Sequence, residues 1–217
     1  MKSYQIHLIR HGITDANKNG CYIGSTDLPL SDLGKSQLLE IKNGARYPKS
    51  NIIYTSPLKR CIQTCEILYP ENQYISVPGL SECDFGNWEG KSAKELENDQ
   101  DFKKWLEDSS KNPPPNGESS IKFTHRICLT FEKIVEGLMR AGTTTAVIVT
   151  HSGVLTTLLA AYGLPKANPM DWVTNPGCGY SLRITPSLWM RDMVAEVYER
   201  LPIFEDIKED TTSMEEI

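Results

Sequence analysis

The chain has 217 residues with 23 Lys and Arg against 28 Asp and Glu. That balance carries no basic stripe for nucleic acid, and no apolar run approaches membrane-spanning length. The length suits one large domain or two small ones, and one is expected. Residues 199–217 hold seven acidic and two basic side chains, which leaves 1–198 with 21 of each. We therefore expect a folded domain over 1–198 and an acidic, flexible tail over 199–217. Six scattered cysteines contain no Cys-x-x-Cys pair, so neither a zinc site nor a disulfide scaffold is indicated. Reduced thiols and a start without a secretory apolar stretch imply a cytoplasmic protein.

An apolar run from Ile6 to Ile9, broken only by His7, reads as a short buried strand that ends at Arg10-His11-Gly12. Where a strand ends in a sharp turn, side chains and backbone N–H groups can converge on an anion. Arg10 brings a planar fork of donors, His11 a ring nitrogen able to act as a nucleophile, and Gly12 room for close backbone approach. A polar loop follows, to Asn17. Ser31 then reads as the N-cap of a helix to about residue 45, with Leu33, Leu38 and Ile41 apolar. Residues 51–55 form a second strand. Ser56-Pro57 supplies a cap and a first-turn proline for a helix carrying Leu58, Cys61, Ile62, Cys65 and Leu68 on one side.

Residues 73–77 read as a third strand, followed by a Gly-rich loop over 78–90. Ser92 and Glu95 have the spacing of a capping box, which predicts a charged helix from there to about residue 106. A rigid connector at 112–117 precedes a long amphipathic helix over about 119–140. Residues 144–150 are the clearest strand, and His151-Ser152-Gly153 turns from it into a helix ending near Tyr162. Two more strands are expected around 180–184 and 194–198. This alternation predicts an α/β fold: a three-layer sandwich with a mostly parallel central sheet covered by helices on both faces. Ligands collect at the carboxyl ends of such strands, so the His11 and His151 corners are expected to meet.

Other residues have plainer readings. His7 stands four residues before His11, about 13 Å along a strand, too far to share one metal ion. It is a strand histidine facing core or solvent, and His125 is a structural helix residue. Trp88, Trp105, Cys61 and Cys65 read as packing groups. Asp84 and Glu89 read as solvated loop carboxylates. No Gly-x-Ser-x-Gly or Walker loop is present.

Five segments together resemble the histidine phosphatase superfamily, the phosphoglycerate-mutase-like enzymes, over residues 4–185. They are Arg10-His11-Gly12-x-Thr14-x-x-Asn17, the run from Tyr22 through Gly24 to Gln37, Ser56-Pro57-Leu58-Lys59-Arg60 with Thr64, the loop from Leu80 through Glu82 to Gly90, and Thr150-His151-Ser152-Gly153. The resemblance implies that His11 is the nucleophile, converted to phosphohistidine and then hydrolysed. It implies that Arg10, Arg60 and His151 form a cationic pocket around the phosphoryl oxygens, and that Glu82 protonates the leaving alcohol and activates water. Asn17, the backbone at Ile23 and Gly24, and the Ser152 amide are implied as further phosphate donors.

For Glu82, burial and a phosphate dianion favour the protonated carboxyl, and the positive residues oppose it. Ile13 stands where the family often has Glu. The segment from Phe85 to Gly90 is similar to the phosphatase branch, and α-ribazole phosphatases with their broad-specificity relatives are the most similar group. The implied protein is a phosphomonoesterase needing no metal or other cofactor, acting on a small phosphorylated metabolite, and either a monomer or a homodimer. A phosphoglycerate mutase and a phosphate-binding protein without turnover are the alternatives.

Overall fold

The structure, a computed structural model, describes residues 2–204. In chain order its elements are β1 (Tyr4–Arg10), α1 (Asp15–Lys18), α2 (Asp32–Gly44), β2 (Ile53–Thr55), α3 (Lys59–Leu68), β3 (Ile75–Ser76), α4 (Gln100–Glu107), α5 (Ser120–Ala141), β4 (Thr145–Thr150), α6 (Ser152–Tyr162), β5 (Gly163–Leu164), β6 (Gly179–Ile184), α7 (Pro186–Asp192) and β7 (Ala195–Leu201). Short 3-10 turns lie at Pro78–Leu80, Gly86–Trp88 and Pro169–Trp172. The seven strands form one sheet in the order β3-β2-β4-β1-β6-β7-β5. β6 pairs antiparallel with β1 and β7, and the other neighbouring pairs are parallel.

Alternation along β1 and β4 sends side chains to two cores. Ile6, Leu8, Ala146 and Ile148 pack with Ile127, Phe131 and Leu138 of α5 and Leu155 and Leu158 of α6. Ile9, Val147 and Val149 pack on the other face with Leu38 of α2 and Cys61 and Cys65 of α3. Helices therefore cover both faces, and both cysteines are core groups as expected. A third cluster of Trp88, Leu96 and Phe102, with Tyr22, Phe85 and Trp105 against it, supports the long excursion between β3 and α5.

The Ser31 cap stands where the sequence places it, and α5 opens close to the expected residue 119. Ser31 accepts from the Gly34 amide, Ser119 accepts from the Lys122 amide, and Gly142 ends α5 in the left-handed region. Two other cap readings are corrected. Ser92 and Glu95 do exchange capping-box hydrogen bonds, yet residues 93–98 make turns and α4 starts only after Asp99. Asp99 accepts from the Asp101 and Phe102 amides and so takes the cap. Ser56 does not cap α3: the helix begins at Lys59, with Leu58 as its N-cap.

The segment between β6 and β7, left without structure by the periodicity, holds α7, whose Trp189 is buried against Phe131 and Tyr162. The sheet also runs past the expected domain boundary at residue 198. β7 continues to Leu201, and Ile203 exchanges backbone hydrogen bonds with Arg46. The remainder of the acidic segment, 205–217, lies outside the described residues. Among the described residues no helix is long and apolar enough to cross a membrane.

Candidate active site

β1 and β4 are adjacent and parallel, with Arg10 opposite Thr150. The residues that follow each strand therefore emerge side by side, and the His11 amide donates to the Thr150 carbonyl (2.9 Å). The two histidine rings stand with centroids 5.1 Å apart in an edge arrangement. The expected meeting of the two corners is present.

His11 is nearly enclosed, and its Nδ1 donates to its neighbour's carbonyl, Gly12 O, at 2.6 Å. A carbonyl only accepts, so the proton is on Nδ1 and Nε2 is left with a free lone pair. Burial, with the nearby charges of Arg60 and Arg10, pushes the His11 pKa down to about 3 despite the opposing pull of that hydrogen bond. His11 is thus neutral across the physiological range. Its loop is tied to α3, because the Gly12 amide donates to Thr64 Oγ1 (2.9 Å) and that hydroxyl donates to the Arg60 carbonyl (2.6 Å).

Arg60, at the start of α3, is fully buried. Its Nε donates to His151 Nδ1 (3.2 Å), Nη1 to Thr26 O (2.9 Å) and Nη2 to Gly24 O (2.7 Å). Since Arg60 can only donate, His151 Nδ1 is an acceptor, and its proton sits on Nε2, which donates to Ser56 Oγ (2.8 Å). Ser56, expected as a helix cap, instead orients this ring. Burial first, then His11 and Arg60, hold His151 well below the usual histidine range. It is therefore a neutral ring here and not the cation that the resemblance implies.

Arg10 donates through Nη1 to Thr174 O (2.6 Å), while its buried Nε has no hydrogen-bond partner among the described residues. A buried guanidinium N–H is costly to leave unpaired, so this orphaned donor beside the histidine pair is itself a sign of an anion site. Glu82 completes the cluster. Its carboxylate accepts from the Gly153 amide (2.9 Å) and from the Cys83 amide (3.0 Å). A Cβ at position 153 would collide with that carboxylate, which explains glycine at this step of α6. Burial raises the Glu82 pKa, and the two amides, Arg60 and Arg10 only partly offset it, so the opposing influences resolve toward an easier uptake of the proton than a free carboxyl has.

The expected phosphate donors are less uniform. Asn17 Oδ1 accepts from the Thr14 amide and hydroxyl (3.1 and 3.0 Å) and so closes the capping box of α1, whose N-cap is Thr14. The Gly24 amide is taken by Glu89, at 2.9 and 3.1 Å to its two oxygens. Gly24 must be glycine because a Cβ there would strike the Cys83 carbonyl. Ile23 is half-buried beside it, and Ser152 opens α6 at the edge of a cavity that Glu82 also lines. Glu89 is not the solvated carboxylate expected, since it binds four backbone amides. His7 pairs with Ser181 on β6 (2.9 Å), away from the cluster, and His125 is an exposed residue of α5. Among the described residues no group of three or more His, Cys, Asp or Glu is arranged to hold a metal ion.

The sequence profile of the Histidine phosphatase superfamily (branch 1) matches residues 6–195. The chain belongs to that family. It is 29% identical over 187 residues to the adenosylcobalamin/alpha-ribazole phosphatase of Salmonella typhimurium, covering 83% of this chain and 90% of that one. It is 31% identical over 149 residues to phosphoserine phosphatase 1 of Hydrogenobacter thermophilus, covering 67% and 69%. The solved structure of the alpha-ribazole phosphatase from Shigella flexneri superposes with a TM-score of 0.77 at 24% identity, over 93% of this chain and 96% of that one, which establishes the shared fold. As a member of the phosphatase branch, the chain has the family's phosphohistidine-type site at the place where β1 and β4 end.

The buried histidines make stability depend on pH. An unfolded chain protonates imidazole near 6.5, whereas native His7 does so only at about 4 and His11 at about 3. Between those values the unfolded state binds more protons, so stability falls as pH drops. Glu82 acts in the opposite direction, as one group against three histidines. The urea midpoint is expected to fall from pH 7 to pH 5, and His7→Asn should make that fall shallower. A midpoint that is unchanged or higher at pH 5 contradicts the neutral-histidine assignment.

Proposed function

We propose that the protein hydrolyses a small phosphomonoester with a bulky, largely apolar leaving group, α-ribazole phosphate being the first candidate. His11 Nε2 attacks phosphorus as the ester oxygen departs, and Glu82 passes its proton to that oxygen. The resulting Glu82 carboxylate then takes a proton from water as the water displaces His11. Arg10 and Arg60 stabilise the phosphoryl oxygens in both steps, and the His151 ring is held beside them by Arg60 and Ser56. The observation that carries this reading is the orphaned Nε of Arg10 next to a histidine whose other nitrogen is already committed.

The leaving group would occupy the cavity beside Glu82. That cavity is about 330 Å³, and Cys83, Phe85, Trp105 and Phe123 form its apolar wall. No Lys or Arg lines it among the described residues. The nearby Arg126 is occupied, with Nε and Nη2 on Glu118 (3.0 and 2.7 Å) and further bonds to the carbonyls of Gly79, Ser81 and Glu82. A leaving group with its own carboxylate or phosphate therefore finds no cation there, which weighs against a phosphoglycerate mutase. The names of the Salmonella and Shigella relatives point the same way. A cytoplasmic enzyme with no metal requirement is part of the same proposal.

Phosphate release with EDTA present tests it across α-ribazole phosphate, phosphoserine and 3-phosphoglycerate. We expect turnover of α-ribazole phosphate with kcat/KM about tenfold or more above the two acidic esters, the size of effect that one unpaired buried charge produces. His11→Ala should remove about 10³-fold or more of it. Isomerisation of 3-phosphoglycerate without phosphate release contradicts the proposal. The Glu82 role has its own signature: kcat/KM for an alkyl ester should fall as pH rises through the raised Glu82 pKa. Glu82→Gln should abolish that alkaline limb and cost about 10²–10⁴-fold. An aryl phosphate, whose leaving oxygen needs no proton, should lose far less, and an equal loss on both esters removes Glu82 from the acid role.

A further inference from the structure

We propose that Glu89 is a positioning residue for the phosphate pocket: its carboxylate holds the turn at residues 24–26, whose carbonyl oxygens aim Arg60 and, through Arg60, the His151 ring. The inference rests on the phosphatase reading above and adds a residue to it. Glu89 follows the 3-10 turn Gly86–Trp88 and is half-buried. Its oxygens accept from the amides of Gly24 (2.9 and 3.1 Å), Ser25 (3.0 Å), Thr26 (3.2 Å) and Phe85 (3.0 Å). Three successive amides converging on one point form an anion nest. The family resemblance implied a phosphate at the Gly24 amide. The nest is instead filled by the chain's own carboxylate, and bonds from amides to an ionised acceptor are among the stronger ones.

The same turn presents two carbonyls to Arg60, Gly24 O to Nη2 at 2.7 Å and Thr26 O to Nη1 at 2.9 Å. With Nε on His151 Nδ1, three of the five guanidinium N–H groups are committed and one remains on each terminal nitrogen. Those two are the donors left for phosphoryl oxygens. Their direction is fixed by the carbonyl pair, and the carbonyl pair is fixed by Glu89. The Phe85 amide ties the same carboxylate to the loop that carries Glu82 and to the apolar wall of the cavity. Glu89 touches no reacting atom. It acts two hydrogen bonds away.

A staple that merely joined two loops would lower stability and activity whatever stood at position 60. A double-mutant cycle separates the two roles, with Glu89→Gln, Arg60→Lys and the pair, read by inorganic phosphate binding and by kcat/KM. Gln keeps the volume but turns one acceptor into a donor facing the amides, and Lys keeps a charge but lacks the fork. Glu89→Gln alone should weaken phosphate binding and lower kcat/KM by about 10- to 100-fold, as a misplaced binding group does. In the Arg60→Lys background the same change should matter by less than about twofold, within the scatter of independent effects. Equal losses in both backgrounds, or no loss from Glu89→Gln alone, overturn the proposal. Glu89→Asp, charged but shorter, goes through the same cycle if the Gln variant does not fold, and the same two outcomes decide. Absent turnover and phosphate binding in the unaltered protein would instead refute the phosphatase reading itself.

Discussion

Parallel pairing of β1 with β4 is the constraint on which the site depends. With Arg10 opposite Thr150 and the His11 amide on the Thr150 carbonyl, two chain segments 140 residues apart must leave the sheet together. Their strands are buried on both faces, so the register is set by two apolar cores at once. A one-residue slip would exchange the side chains between those cores, and the histidine pair would separate. The sheet thus supplies the site's geometry, and the loops supply its chemistry.

Around that fixed pair, nearly every polar group is committed before any ligand arrives. Gly12 O sets the His11 tautomer, Arg60 and Ser56 set that of His151, and the Gly153 and Cys83 amides hold Glu82. Pre-committed partners of this kind lower the reorganisation needed in a transition state, which is where electrostatic catalysis has its largest effect. The buried Arg10 Nε departs from the pattern. Charge follows the same logic: enclosure lowers the pKa of both histidines and raises that of Glu82, which favours the uncharged form of each. A neutral imidazole and an undissociated acid are what nucleophilic attack and proton donation require.

Much of this was legible in the sequence because it is local. Strand runs, the Ser31 cap, the long helix over about 119–140 and the corners at His11-Gly12 and His151-Ser152-Gly153 are each encoded within a short stretch of chain. What was misread depends on distant partners. Ser56 and Pro57 look like a helix start, but the hydroxyl is claimed by His151, 95 residues on. Ser92 and Glu95 close a capping box on a turn, because Asp99 offers a second cap whose helix can bury Phe102 against Trp88. Glu89 and Arg126 look like ordinary loop and helix charges until folding brings amides and carbonyls to them. Gly24 carries the family's pattern, while its amide is occupied inside the protein by Glu89.

The central claim is that His11 carries the phosphoryl group between ester and water. It is tested most directly by rapid quenching during turnover of a phosphomonoester, with the quench kept alkaline so that phosphohistidine survives, followed by mapping of the modified residue. The account predicts a transient phosphoryl group on His11, absent from His11→Ala and lost at a rate no slower than turnover. Turnover with no phosphorylated histidine, or with the phosphoryl group on another residue, would contradict it.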